Sequence, residues 1–209
     1  MSEKPILFNT EMVRAILDGR KACTRRILKG AIPFDEKAEY WNVLKKGEWS
    51  GPICVEYFMK QGSPYKPGDI LYVRETWMDY AGLTMYKADC DIYRLDSLNF
   101  AGFGWKPSIH MPKKAARIWL RVTNVKVERL QEITEDGAEA EGAIDSRGFI
   151  LSPDNEYNRI HTAREHFVEI WNSTIKGSDL DRYGWDANPW VWVIEFERCE
   201  KPGKENSNG

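Results

Sequence analysis

The longest strand-forming segment of the chain is ARIWLRVTNVKVERL, residues 116–130. Ile118, Leu120 and Val122 alternate with residues of other kinds, a pattern typical of a strand that buries one face. The alternation changes phase at residues 123–124, which indicates a bulge or a bend. A strand of this length needs other strands to pair with, so the chain is confined to folds that contain a sheet.

Further strands and helices are predicted on both sides of this segment. ILYVRETW (70–77) and PWVWVIEFE (189–197) are rich in β-branched and aromatic residues, which favour strands. NTEMVRAILDG (9–19), ITEDGAEAEGA (133–143) and NRIHTAREHFVEIWNSTI (158–175) predict helices. Because these helices do not alternate with strands as βαβ units would, we expect an α+β fold whose strands curl into a small mixed β-barrel.

Capping residues support the predicted helices. Asn9 or Thr10 suits the N-cap of the first helix, and Gly19 suits its end. Thr134 suits the N-cap of the second helix. The third helix places apolar residues on one face, beginning with Ile160.

Length and composition bound the class of protein. The chain has 209 residues, 42% hydrophobic and 30% charged, so we expect one domain over 1–199 and a mobile tail over 200–209. No run approaches the roughly 20 apolar residues that span a bilayer, and the first residues are too polar for a signal peptide. The expected location is therefore the cytoplasm. The cysteines and histidines lack the spacing of metal ligands, so we expect neither a metal site nor a cofactor.

A basic segment, LDGRKACTRR, follows the first predicted helix at residues 17–26. Its cations are Arg20, Lys21, Arg25 and Arg26. Basic residues after a helix C-terminus are favoured by the helix dipole alone, and on a following strand they suit a solvated face or a phosphate contact. The segment therefore has a structural interpretation beside a functional one.

Four segments in a fixed order resemble the ASCH group of the PUA-like superfamily. They are LDGRKACTRR after a short helix, YKPGDILYVRETW, VERLQEITEDGAEAEG, and PWVWVIEFE after a helix, and the match spans most of residues 5–197. The resemblance implies a small β-barrel that binds RNA or modified nucleosides. The segment SIHMPKKAARIWL makes the chain similar to a longer form common in phages and prophages, with insertions near 30–62 and 79–115.

Within that group, the small bacterial N4-acetylcytidine amidohydrolases use a lysine, a threonine three residues later and a more distant glutamate. Their pattern falls on Lys21, Thr24 and Glu141. The resemblance implies an acyl transfer in which Thr24 attacks an amide carbonyl, Lys21 is the base and Glu141 is the acid. Such a scheme is chemically coherent, because a threonine hydroxyl becomes a useful nucleophile only when a base takes its proton.

A second group of candidate residues combines aromatic rings with polar and cationic side chains. Arg74 could bind a phosphate, and Trp77 could stack on a base, at the end of the strand over 70–77. The alternative is a structural pair between Arg74 and Glu75 above a core tryptophan. The segment GWKPSIHMPKK, residues 104–114, adds candidates of the kind found on nucleic-acid surfaces. They are Trp105, Lys106, Ser108 and His110.

The sequence supports three hypotheses of function. The first is binding of RNA, a nucleotide or a modified nucleoside. The second is hydrolysis at the same pocket, either of an acylated cytidine by an amidohydrolase or of RNA by a ribonuclease. The third is a phage accessory protein that binds a host protein. A formal net charge of −2 argues against strong nonspecific binding of DNA. Binding of single-stranded RNA or of a modified nucleoside is therefore the leading hypothesis.

Overall fold

The computed structural model describes residues 2–35, 37, 39–80, 82–90, 104–145 and 161–203. The chain divides into two compact units. The first unit comprises Met1–Ala22, Pro67–Thr123 and Phe196–Gly209, and the second comprises Cys23–Lys66 and Asn124–Glu195. The prediction of one domain over 1–199 stays a prediction. Ile160, residues 91–103 of the second predicted insertion and residues 204–209 of the predicted tail lie outside the described residues.

The predicted α+β class is confirmed. The described strands are β1 Glu3–Leu7, β2 Cys23–Ile27, β3 Ala31–Pro33, β4 Tyr40–Lys45, β5 Glu48–Trp49, β6 Ile53–Cys54, β7 Ile70–Arg74, β8 Trp77–Tyr80, β9 Leu83–Tyr86, β10 Trp119–Arg129 and β11 Trp190–Cys199. The described helices are α1 Thr10–Leu17, α2 Val55–Gly62, α3 Glu135–Ala140, α4 Ala163–Thr174 and α5 Leu180–Tyr183. Within the described ranges, no helix has the length and apolar character that a membrane crossing requires.

In the first unit, β7 lies between β1 and the start of β10. It pairs in parallel with β1, where Ile6 is opposite Val73, and antiparallel with β10, where Leu71 is opposite Leu120. All four side chains are buried, so they contribute to the apolar interior of this unit. Helix α1 follows β1, and Asn9 accepts a hydrogen bond from the Met12 amide, which confirms one of the two predicted N-caps.

In the second unit, helices α3 and α4 pack against strand β11. Their shared core includes Ala138 of α3, Phe167 and Trp171 of α4, and Val191 and Val193 of β11. Strand β2 pairs antiparallel with β11. The predicted insertion over 30–62 forms a small sheet of strands β3 to β6, followed by α2.

The predicted closed barrel is not seen among the described residues. The largest sheet has the strand order β1-β7-β10-β11-β2. A closed barrel requires every strand to have two hydrogen-bonded neighbours, and in the described part of the chain β1 and β2 each have one. The predicted phase change in β10 is confirmed, because Leu120 and Val122 are buried, Thr123 and Asn124 are exposed, and Val125 is half-buried.

Candidate functional site

Strand β2 carries the second half of the basic segment and presents it on two faces. Its pairing with β11 places Thr24 opposite Ile194 and Arg26 opposite Trp192. Side chains alternate along a strand, so Thr24 and Arg26 point to one face and Arg25 points to the other. The sequence suggests ligand binding, such as a phosphate contact, for both Arg25 and Arg26, but the strand gives the two arginines different surroundings.

Arg25 is engaged with acidic side chains of the second unit. Its Nε and Nη2 atoms lie 2.9 and 2.6 Å from Glu128 Oε1, and its Nη1 atom donates to Glu141 Oε1 across 3.3 Å. The guanidinium carbon also lies 5.9 Å from the centre of the Phe167 ring. Burial opposes the positive charge, but the Glu141 and Glu128 carboxylates outweigh it and raise the pKa of Arg25. Arg25 is therefore a buried cation that pairs with two carboxylates and holds them in place.

Arg26 lies on the same strand face as Thr24. Burial lowers the pKa of this guanidinium, and the nearby Tyr65 hydroxyl and Glu141 carboxylate oppose the shift only in part. Burial likewise raises the pKa of Tyr65, an effect that Arg26 opposes. An additional negative group beside Arg26 would thus be favourable.

Glu141 is placed by the end of helix α3. Thr134 caps the start of this helix by accepting from the Gly137 amide at 3.0 Å, as the sequence predicts. The Glu141 amide in turn donates to the carbonyls of Gly137 and Ala138, both at 3.1 Å. The helix end therefore fixes the backbone of Glu141, while Arg25 holds its carboxylate.

The predicted catalytic residues share an unusual degree of burial. Lys21, Thr24 and Glu141 are each 4% exposed. The described residues hold few other buried polar or charged side chains, namely Arg25, Asp69 and Glu75. Burial of such groups costs folding free energy unless they are paired, so a protein that keeps them buried has either a structural or a functional use for them.

The three predicted catalytic residues are divided between the two units. Thr24 and Glu141 belong to the second unit, and Lys21 belongs to the first, where its Nζ lies 5.4 Å from the centre of the Phe8 ring. Convergence of the three on one substrate stays a prediction. Arg20, also of the first unit, lies at the surface and donates to Asp18 at 3.0 Å.

The second predicted group lies in the first unit, and much of it is structural. Glu75 is buried and accepts from Nε and Nη2 of Arg117 at 2.9 and 3.0 Å. The structural alternative pairs Glu75 with Arg74, but the partner of Glu75 is Arg117, which lies just before β10. Trp77 is 8% exposed, and Lys106 Nζ lies 4.8 Å from the centre of its ring. Its indole thus has little surface to offer a base.

The remaining residues of that group are more open. Arg74 is half-buried and donates from Nη2 to the Ile109 carbonyl. Trp105 and Ser108 are half-buried, and Lys106 and His110 are exposed. The Nε1 atom of Trp105 is buried without a hydrogen-bond partner among the described residues. Binding by these residues stays a prediction.

Two residues near the predicted site were missed from the sequence. Glu128 is the main hydrogen-bond partner of Arg25. Tyr65 has the largest electrostatic effect among the groups that raise the pKa of Arg26. A carboxylate opposite the basic segment could have been sought, because buried arginines need anionic partners. Tyr65 follows a proline in a turn-rich segment and gives no comparable signal.

No protein-family model matches the chain, and no curated protein does. The chain is similar to a solved structure from Enterococcus faecalis V583 that is described by the family model DUF984, with 12% identity, a TM-score of 0.42 and coverage of 95% of this chain and 76% of that one. It is similar to an ASCH domain from Lactobacillus crispatus JV V101, with 12% identity, a TM-score of 0.38 and coverage of 94% and 79%. It is also similar to the hypothetical protein PH0355, with 14% identity, a TM-score of 0.38 and coverage of 95% and 100%. At these values the function has to be inferred from the residues of the chain itself.

Proposed function

We propose that the chain binds a nucleoside, free or within single-stranded RNA, at the β2 polar site, which we define as Thr24, Arg26 and Glu141 of the second unit. One observation carries the proposal: Thr24 and Glu141 are each only 4% exposed, and burial lowers the pKa of the neighbouring Arg26. Proteins retain such groups where they serve a ligand. The three residues come from a strand and a helix end, so the unit itself can hold them in fixed positions.

The chemistry of these groups matches the polar edge of a base. A carboxylate accepts hydrogen bonds from exocyclic amines such as that of cytosine, and a threonine hydroxyl can both donate and accept. Arg26 supplies positive charge where a phosphate would relieve the effect of its burial. Arg25 does not belong to the ligand surface in this proposal. Its role is to hold the Glu141 carboxylate in place through the hydrogen bond from Nη1, while the same carboxylate acts electrostatically on Arg26.

The experiment is calorimetric titration of the protein with cytidine, N4-acetylcytidine and a short single-stranded RNA. Glu141→Gln should weaken binding about tenfold or more, because a hydrogen bond to a charged group contributes about 1.5–3 kcal/mol. Glu139→Gln is the matched control, since Glu139 lies two residues earlier on α3 and is exposed. Thr24→Val keeps the shape of the side chain and should also weaken binding.

Two results would contradict the proposal. One is a folded wild type that binds none of the three probes. The other is a Glu141→Gln variant that binds as tightly as the Glu139→Gln control.

A second candidate function is hydrolysis of an amide on the bound nucleoside. The family resemblance implies Thr24 as nucleophile and Glu141 as acid, and the burial of both suits a site that excludes water. Binding is preferred because the groups it requires all lie in the second unit, whereas hydrolysis also requires a base, and Lys21 belongs to the first unit. Mass spectrometry of N4-acetylcytidine incubated with the protein tests this candidate. Release of cytidine that is lost in Thr24→Val would support it.

A further inference from the structure

One face of the small sheet in the second unit does not pack against the core of that unit. Strand β4 is central, and its pairing places Asn42 opposite Ile32, Leu44 opposite Trp49, and Tyr40 opposite Cys54. Paired residues of an antiparallel sheet point to the same side, so these side chains share one face. Phe34 follows β3 and donates from its amide to the Tyr40 carbonyl, which continues the same pattern. We define the outer sheet face as Ile32, Phe34, Tyr40, Leu44 and Trp49.

The opposite face of this sheet is already covered. Trp41, on the alternate side of β4, is 1% exposed. Its ring stacks on Phe58 of α2 at 5.1 Å and meets the edge of Trp190 at 4.9 Å. A sheet with one buried face ordinarily carries polar residues on the other. The apolar residues of the outer sheet face depart from that pattern, so they are not explained by the core of the unit.

The outer sheet face is also large. Its five side chains are 43–59% exposed. A large apolar side chain has about 150–250 Å² to bury, so five half-exposed ones offer on the order of 500 Å². That area is near the upper end of the roughly 300–600 Å² of the largest apolar patch on a typical monomer. It is also most of the roughly 800 Å² that each partner buries in a standard protein interface.

The charges around this face indicate what covers it. The hairpin between β4 and β5 turns at Lys46 and Gly47, with φ of 53° and 88°, and Glu48 begins the strand after the turn. Asp35 and Glu39 lie at the other end, before β4. A rim with both signs does not suit the uniformly negative backbone of a nucleic acid. It does suit a second copy of the same rim, because a two-fold axis across the face can bring Lys46 of one copy opposite Asp35 and Glu39 of the other.

We infer that the outer sheet face is the surface through which two copies of this chain pair. The partner is the chain itself, and the contact is isologous, with Trp49 and Tyr40 as its aromatic anchors. This inference is independent of the β2 polar site, because it uses none of the residues proposed to bind a nucleoside.

Sedimentation velocity over a range of protein concentrations tests the inference. The wild type should pass from monomer to dimer as the concentration rises. Trp49→Lys should weaken self-association about tenfold or more, because an aromatic anchor is lost and a charge is placed in the apolar contact. Leu83→Lys is the matched control, since Leu83 is an exposed apolar residue of β9 in the first unit, and it should associate like the wild type.

A second measurement does not depend on a variant. Cys54 is exposed, and its pairing with Tyr40 places it on the same face, whereas Cys199 is half-buried in the first unit. In the wild type, alkylation of Cys54 should slow as the dimer forms, while alkylation of Cys199 keeps its rate.

Three outcomes would overturn the inference. They are a wild type that stays monomeric at every concentration, a Trp49→Lys variant that dimerises as the wild type does, and a dimer in which Cys54 keeps its monomer reactivity. Single-stranded RNA that binds a monomer and quenches Trp49 fluorescence would instead assign the face to nucleic acid.

Discussion

Arg25 Nη1 donates to Glu141 Oε1 across 3.3 Å, and this bond joins strand β2 to the residue at which helix α3 ends. The same guanidinium holds Glu128 of β10 through Nε and Nη2. One buried cation therefore ties together three elements of the second unit and offsets the charge of two carboxylates. The position of Glu141, on which the proposed nucleoside site depends, is set by a residue 116 positions away in the sequence.

Arg25→Met should lower the free energy of unfolding by about 3–5 kcal/mol, because it leaves two carboxylates without their shared cation. Methionine keeps an apolar stem, so the loss reports the charge more than the packing. Urea unfolding followed by circular dichroism measures the change. Arg20→Met, which breaks only an exposed pair with Asp18, should cost less than about 1 kcal/mol. Equal losses in the two variants would contradict the prediction.

Glu75 should make the stability of the protein depend on pH. Burial raises the pKa of this carboxyl above its ordinary value of 4.5, and the hydrogen bonds from Arg117 oppose the shift only in part. The folded state therefore holds the Glu75 proton more tightly than the unfolded state does. The contribution of this group is fully present below pH 4.5 and is lost as the pH rises through the raised pKa.

Glu75→Gln removes that titration and reports the effect. Unfolding in urea at a series of values from about pH 4 to about pH 7 should show the wild type losing stability relative to Glu75→Gln as the pH rises. Glu139→Gln, an exposed residue of α3, should run parallel to the wild type. A wild type that gains stability relative to Glu75→Gln over this range would show that Arg117, and not burial, controls the carboxyl.

Trp77→Ala should mainly lower the free energy of unfolding and not the affinity for RNA. The ring belongs to a core cluster with Met111 and Trp119, so its loss should cost about 3–5 kcal/mol of unfolding free energy. If Trp77 stacks on a base, as one interpretation of the sequence predicts, RNA binding should weaken while the fold stays intact. Thermal unfolding and RNA titration of the same preparation separate the two. Weakened binding without a change in stability would restore Trp77 to the ligand surface.

The parts of the fold that sequence predicts well are those whose signals are local. Asn9 and Thr134 cap helices as their side chains favour. The third helix was predicted from residue 158, but α4 begins at Ala163, because Thr162 and Glu165 form a reciprocal capping box. The capping box is readable in the sequence, so the start of this helix is a local signal as well.

The parts that sequence predicts poorly depend on distant partners. The alternation of β2 places Thr24 and Arg25 on opposite faces, but nothing in the local sequence shows that Glu128 reaches Arg25. The pairing of Glu75 with Arg117 instead of Arg74 is of the same kind, since both arginines are plausible from sequence. Long-range pairing decides these contacts.

Gly137 offers a sharp test of how firmly Arg25 is held. In the interior of an α-helix, alanine is more favourable than glycine by about 0.8–1 kcal/mol, so Gly137→Ala should stabilise α3 if nothing else changes. An added Cβ, however, would lie 3.2 Å from Thr134 Oγ1, 3.3 Å from Ile133 Cγ1 and 3.4 Å from Arg25 Nη2. Thr134 and Ile133 must shift by a few tenths of an ångström for alanine to fit, and Arg25, which lies at the limit of ordinary contact, is restrained by its carboxylate partners.

We therefore expect Gly137→Ala to destabilise the protein by about 1–3 kcal/mol, as overpacking in a well-packed region does, in spite of its better helix propensity. Gly137→Ala made in the Arg25→Met background removes the restrained guanidinium, so the cost of the added methyl group should shrink there. Urea unfolding of the two single variants and the double variant completes the cycle. A net gain of about 1 kcal/mol from Gly137→Ala in the wild-type background would mean that the guanidinium yields easily. In that case Arg25 could not be what fixes the Glu141 carboxylate.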